Sequence, residues 1–180
     1  MLLVVDNGSI YTKNLIDHLM EHKISFEKES PNELNLQSLE KYDSFILSGR
    51  RKNEKKINQI NSKVIVHSIQ YNKKLLGICY GAEILSLTLG GTIRKLETIQ
   101  KGDEEVSIKK ENVLATEKIK VFESHGFEIS KLPNLLIPLG YSKNCKYEII
   151  QYNKKLIFGT QFHPEMTSDG TNLINNFCLL

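Results

Sequence analysis

Three short runs of apolar character each end at a turn that carries a glycine. Leu2–Val5 stops at Asp6-Asn7-Gly8, Ser44–Leu47 at Ser48-Gly49, and Leu75–Ile78 at Cys79-Tyr80-Gly81. A helical pattern follows each of them: Ile10, Asn14, Leu15, His18 and Leu19; then Ile57 to Ile69; then Ala82–Leu89, which Gly90-Gly91 stops. Between the first two, Ile24–Glu29 alternates Ile24 and Phe26 with polar neighbours, as a half-buried strand does. Strands that alternate with helices need crossover connections. The chain is therefore expected to build an α/β fold on a mostly parallel central sheet covered on both faces.

From Thr92 onward the pattern changes. Short β-like runs succeed one another at Val106–Ile108, Ile119–Phe122, Leu135–Leu139, Tyr147–Ile150 and Leu156–Phe158, which predicts antiparallel additions to the sheet. Leu173, Ile174, Phe177 and Leu180 then make one face of a closing helix over Thr171–Leu180. With 180 residues, no linker-like stretch and no repeat, a single domain over residues 1–180 is expected.

Composition excludes several roles. Charged residues are 25% of the chain and both signs are interspersed, for a formal net charge of +3. The densest basic run, Arg50–Lys56, is interrupted by Glu54. Of 24 basic residues only Arg50, Arg51 and Arg94 are arginines, which is poor equipment for reading bases or gripping phosphates, so no nucleic-acid partner is expected. The apolar start Met1–Val5 is too short to span a membrane. Cys79, Cys145 and Cys178 are odd in number and far apart, so reduced thiols, a cytoplasmic location and no metal are expected.

In an open α/β sheet, ligands bind beyond the carboxyl ends of the strands, and those ends are the three glycine turns. Gly77-Ile78-Cys79-Tyr80-Gly81 is a nucleophile elbow with cysteine at its apex. The sharp turn pushes the side chain up, and the N-terminus of the next helix favours thiolate over thiol. The N–H of Tyr80 can face a developing oxyanion. A thiol nucleophile needs a base and a group to orient that base. His163-Pro164-Glu165 offers both: in an extended segment, residues two apart face the same way, about 6.5 Å apart. Cys79, His163 and Glu165 are thus candidates for a catalytic triad. Acyl transfer of this kind needs no cofactor.

Three segments carry a resemblance: Leu75–Gly81, Ser124-His125-Gly126-Phe127-Glu128, and Phe158–Glu165. Together they resemble the triad (class I) glutamine amidotransferases, over essentially the whole chain. Within that family the chain is most similar to the branch whose members are separate glutaminase subunits of GMP synthases. The resemblance implies a single-domain, flavodoxin-like, three-layer fold. It implies hydrolysis of glutamine through a γ-glutamyl thioester on Cys79, with ammonia passed to a synthase subunit of the ATP-pyrophosphatase type. His163 becomes general base and then general acid, and Glu165 orients it. Ser124, His125, Gly126 and Phe127 become the stretch that holds the α-amino and α-carboxylate ends of glutamine. Gly49 and Arg50 join Tyr80 as candidates for the oxyanion hole.

The chain departs from the family pattern at two positions. Arg50 stands where a second glycine usually follows the Ser of the third strand; its N–H can still donate, provided the loop does not demand a positive φ. Glu83 stands where glutamine usually contacts substrate. A carboxylate there can favour an α-ammonium, repel an α-carboxylate, or raise the nearby thiol pKa. Some γ-glutamyl hydrolases carry Glu at this place, so a stand-alone γ-glutamyl hydrolase stays open as an alternative. So does a relative that binds or regulates without catalysing.

Overall fold

A computed structural model describes residues 1–180. Nine strands form one sheet in the order β2-β1-β3-β4-β9-β8-β7-β5-β6. The parallel half consists of β2 (Phe26–Glu29), β1 (Leu2–Val5), β3 (Ser44–Leu47), β4 (Lys74–Ile78) and β9 (Ile157–Thr160). Against β9 runs β8 (Ile149–Tyr152), followed by β7 (Leu136–Tyr141), β5 (Thr92–Ile108) and β6 (Ile119–Lys131), all antiparallel. The central strands are apolar on both faces because helices cover both. On one face Leu2, Val4, Ile46, Leu76 and Phe158 pack with α1 (Thr12–Glu21) and α4 (Ser168–Leu179). On the other, Leu3, Val5, Phe45, Leu47 and Leu75 pack with α2 (Lys55–Gln70) and α3 (Tyr80–Thr88). The alternation of side chains along each strand divides its residues between the two cores.

The expected layers and the parallel half are present. The antiparallel half differs in extent. The sequence suggests two short runs at Val106–Ile108 and Ile119–Phe122; the structure has a long hairpin of β5 and β6, with a register irregularity between Lys95 and Gln100. Most of β5 is exposed and rich in Lys, Glu and Gln, so no apolar alternation announces it. Its pairing comes from the ladder with β6 rather than from burial. Cys178, on the closing helix, is half-buried. No helix is long and apolar enough to cross a membrane.

The first two glycine turns are fastened to each other and to α2 by a buried amide network. Asn7 donates its backbone N–H to Ser48 Oγ (2.9 Å) and its Nδ2 to the Ser48 carbonyl (3.0 Å). Asn61, inside α2, donates to Asn7 Oδ1 (2.7 Å) and to the Ile57 carbonyl (2.9 Å). Asn61→Leu would leave the Asn7 side chain and the Ile57 carbonyl without these partners. A loss of about 1–3 kcal/mol in unfolding free energy is expected, read by chemical denaturation; an unchanged midpoint would contradict it.

Candidate active site

Cys79 sits between β4 and α3 with φ +51° and ψ −101°, a conformation a non-glycine residue holds only under constraint from its surroundings. Several constraints are visible. Its N–H donates to the Thr160 carbonyl on β9 (2.7 Å), and its own carbonyl accepts from Ala82 (3.0 Å) and Glu83 (3.1 Å). Gly77 and Gly81 make the turn possible by absence of bulk. A Cβ at Gly77 would lie 2.5 Å from the Gly81 carbonyl oxygen, and one at Gly81 would collide with the Leu47 carbonyl.

His163 follows β9 at the same end of the sheet. Its Nδ1 lies 2.8 Å from Glu165 Oε1, and both side chains are buried. The intervening geometry is not the extended segment expected from the sequence. Pro164–Met166 is a 3₁₀ turn, and the turn brings the carboxylate back to Nδ1. With Nδ1 held by Glu165, Nε2 is the nitrogen left for proton traffic. The ring packs over Gly49, where a Cβ would come within 2.9 Å of His163 Cε1. The Tyr11 ring also lies against it, tilted by 58° with ring centroids 4.5 Å apart. Cys79 and His163 share this end of the sheet without a direct hydrogen bond between sulfur and imidazole.

The expected preference for thiolate is overturned. Burial pushes the Cys79 thiol well above its ordinary value, and Glu83, Glu123 and Glu165 push it the same way. Only the backbone N–H of Tyr80, which faces the sulfur, opposes them. The three glutamates and the loss of water around the sulfur thus disfavour the thiolate that the helix N-terminus favours.

The residues flagged on β6 are brought to this place. Although β6 is last in the sheet order, Phe122 bridges His163, whose N–H donates to the Phe122 carbonyl (2.9 Å). Ser124 Oγ accepts from the Tyr11 hydroxyl (3.1 Å). His125 is buried; its Nδ1 lies 2.8 Å from the Phe127 carbonyl and its Nε2 3.0 Å from Glu123. Both ring nitrogens thus face acceptors. Burial pulls the imidazole pKa down, but Glu123 outweighs burial and leaves it raised. A Cβ at Gly126 would meet only Ile99 Cγ1, at 3.7 Å, and Phe127 is partly exposed.

The two departures from the family pattern meet. Arg50 Nη2 lies 3.6 Å from Glu83 Oε2, with both side chains largely buried. Arg50 has no positive φ, so its backbone is unstrained, and it forms an isolated bridge with Gly8. Glu83, at the start of a helix, could as well have faced solvent, but it is 4% exposed. Burial raises its carboxyl, against the pull of Arg50, Gln161 and His125.

Several residues of the site lie outside every motif in the sequence, among them Tyr11, Asn58 and Glu123. Glu148 interrupts an apolar run, the one signal that could have marked it. It is fully buried, with neither carboxylate oxygen hydrogen-bonded, and burial and the neighbouring Glu123 raise its carboxyl well above the usual range. A raised folded-state value stabilises the fold only below the unfolded value near 4.5, and that contribution is lost as pH rises through the folded value. Glu148→Gln is therefore expected to raise the Tm at neutral pH, with the gain vanishing below about pH 4. A Tm gain independent of pH, or a loss at neutral pH, would contradict this.

The family model for class-I glutamine amidotransferases matches residues 3–180. The chain belongs to the class-I glutamine amidotransferase family. As an amidotransferase it is 32% identical to the glutamine-hydrolyzing GMP synthase subunit of Methanocaldococcus jannaschii, over 99% of this chain and 96% of that one. It is 30% identical to the corresponding GMP synthase subunit of Pyrococcus furiosus, over 98% and 96%. A crystal structure of a GMP synthase subunit from Thermoplasma acidophilum superposes with a TM-score of 0.87 at 27% identity, covering 98% of this chain and 91% of that one. A Thermotoga maritima glutamine amidotransferase shares the fold with a TM-score of 0.80 at 20% identity, over 97% and 80%.

Proposed function

We propose that this amidotransferase is the glutaminase subunit of a two-chain GMP synthase. It hydrolyses glutamine to glutamate and ammonia, and a separate subunit of the ATP-pyrophosphatase type uses the ammonia to convert XMP to GMP in the cytoplasm. The observation that carries the chemistry is the buried His163–Glu165 pair at the strand end that also bears the Cys79 elbow.

In this reading the Cys79 sulfur attacks the γ-carboxamide carbon of glutamine as its proton passes to His163 Nε2. The developing oxyanion takes N–H donors from Tyr80 and the Gly49–Arg50 loop. His163 returns the proton to the departing nitrogen; the C–N bond breaks, and ammonia leaves a γ-glutamyl thioester. Water then attacks the thioester with His163 as base, the C–S bond breaks, and glutamate leaves with the thiol restored. Glu83, Ser124, His125, Gly126 and Phe127 hold the amino-acid end of the substrate.

A partner is supported by the mouth of the site. Ile10 is 69% exposed beside Tyr11, Ile99 is 72% exposed beside Gly126, and Phe127 is 37% exposed. These apolar side chains suit a protein surface better than water. The test is glutamate release from glutamine, with and without a candidate synthase subunit supplied with XMP and ATP, using Cys79→Ala as control. Release that requires Cys79 and rises with the partner supports the proposal. Turnover of γ-glutamyl peptides but not of glutamine would replace it with a lone hydrolase.

A further inference from the structure

Glu83 poses a problem for any nucleophilic role of Cys79. It lies four residues on, in the first turn of α3, and is more buried than the thiol, 4% against 8% exposed. An unbalanced negative charge there would oppose loss of the sulfur proton in a medium that screens poorly. The charged and titratable groups that face this thiol are Glu83 on α3, Glu123 on β6, and His163 and Glu165 after β9, with His125 behind Glu83. Arg50, from the loop after β3, is the cation that pairs with Glu83.

Arg50 is also unusually well fixed. Its guanidinium carbon lies 4.4 Å from the centre of the Tyr80 ring. Its Nη1 donates to Asn53 Oδ1 (2.7 Å) and to Asn58 Oδ1 (3.3 Å), and Asn58 Oδ1 also accepts from the Tyr80 hydroxyl (2.8 Å). The cation is thus clamped by its own loop, by α2 and by the residue next to the nucleophile. A solvated loop arginine would show none of these contacts. A fixed charge in a buried place acts more strongly than a mobile one, because little reorganisation screens it.

We propose that Arg50 is a positioning residue for the Cys79 thiol: clamped over Tyr80, its guanidinium offsets the charge of Glu83, so that the sulfur can release its proton when His163 accepts it. The two departures from the family pattern are then one device, in which Arg50 answers the charge that Glu83 brings to the thiol. The inference rests on Cys79 as the nucleophile. In this role the Arg50 guanidinium is not required to touch substrate.

The test is the pH dependence of Cys79 alkylation by iodoacetamide in the purified full chain, read by mass spectrometry of the Cys79 peptide, with Cys145 and Cys178 as internal references. Arg50→Gln is expected to move the Cys79 midpoint up by about one pH unit or more, as loss of a neighbouring opposite charge does. Arg50→Lys should stay near the wild-type midpoint, since it keeps the charge. Glu83→Gln should lower the midpoint, and Arg50→Gln/Glu83→Gln, which removes both charges together, should return toward the wild-type midpoint rather than keep that of Arg50→Gln. Arg50→Met, which keeps an unbranched stem over Tyr80, replaces Arg50→Gln if the latter fails to fold. A neutral Arg50 variant with the wild-type midpoint, or a double variant that keeps the midpoint of the single Arg50 variant, would overturn the inference. Alkylation needs no turnover, so it can fail while glutaminase activity stands, and the reverse.

Discussion

Glu165→Gln is expected to lower glutamine turnover by about 10³–10⁴-fold while leaving the fold intact. Glu165 is buried beside His163 with one oxygen on Nδ1, so the substitution keeps size while removing the charge and replacing one acceptor oxygen by an NH₂ donor. Two consequences follow. The imidazolium formed when His163 takes the thiol proton loses the anion that stabilises it. An amide NH₂ turned toward Nδ1 would also force the proton onto Nε2, the nitrogen that must be free to accept. Burial and the neighbouring carboxylates disfavour a free Cys79 thiolate, so attack by the sulfur depends on that acceptance. The measurement is kcat for glutamate release, with circular dichroism to confirm the fold; a loss smaller than about tenfold would show that Glu165 does not orient the base.

Gly81→Ala is expected to act on the fold instead, with a loss of about 3 kcal/mol or more in unfolding free energy. The added methyl would occupy the position of the Leu47 carbonyl, which belongs to the backbone of β3 and cannot rotate away as a side chain could. To relieve it, α3 must move off the sheet, and the elbow that holds Cys79 at φ +51° would relax with it. Gly77→Ala meets the Gly81 carbonyl from the other side of the same turn. Gly126→Ala is the contrasting case: its nearest neighbour would be Ile99 Cγ1 at 3.7 Å, so a change within about 0.5 kcal/mol is expected. Urea denaturation of the Gly81 and Gly126 variants decides the matter. Equal stabilities would contradict this account of the elbow.

The parts of the molecule legible in the sequence are those where local chemistry and burial agree. Leu2–Val5, Ser44–Leu47 and Leu75–Ile78 are apolar because helices cover both faces, and at Cys79 the next helix starts at the following residue. The Cys79 elbow can be read for the same reason, since its two glycines answer to steric demands within a few residues. The β5–β6 hairpin cannot, because its strands are exposed and their pairing is long-range. The 3₁₀ turn at Pro164–Met166 is hidden for a different reason. Pro164 fixes only its own φ, and Glu165 is placed by contacts with α1 and α4.

The electrostatics of the site lie furthest from view. A helix N-terminus points to a thiolate, but Glu123 and Glu165 lie 44 and 86 positions beyond Cys79 in the chain, and only the fold brings their charges to the sulfur. Arg50 and Glu83 look like two separate departures. Their 3.6 Å approach joins the loop after β3 to the first turn of α3, a relation between neighbouring strand ends that no local pattern encodes.

The most direct test of the central claim is to trap the acyl-enzyme. Acid quench of the protein during glutamine turnover, followed by intact-mass and peptide analysis, should find a γ-glutamyl group on Cys79 and on neither of the other two cysteines, with ammonia released in the same burst. Glutamate formation that proceeds with no such adduct, and that survives Cys79→Ala, would contradict it.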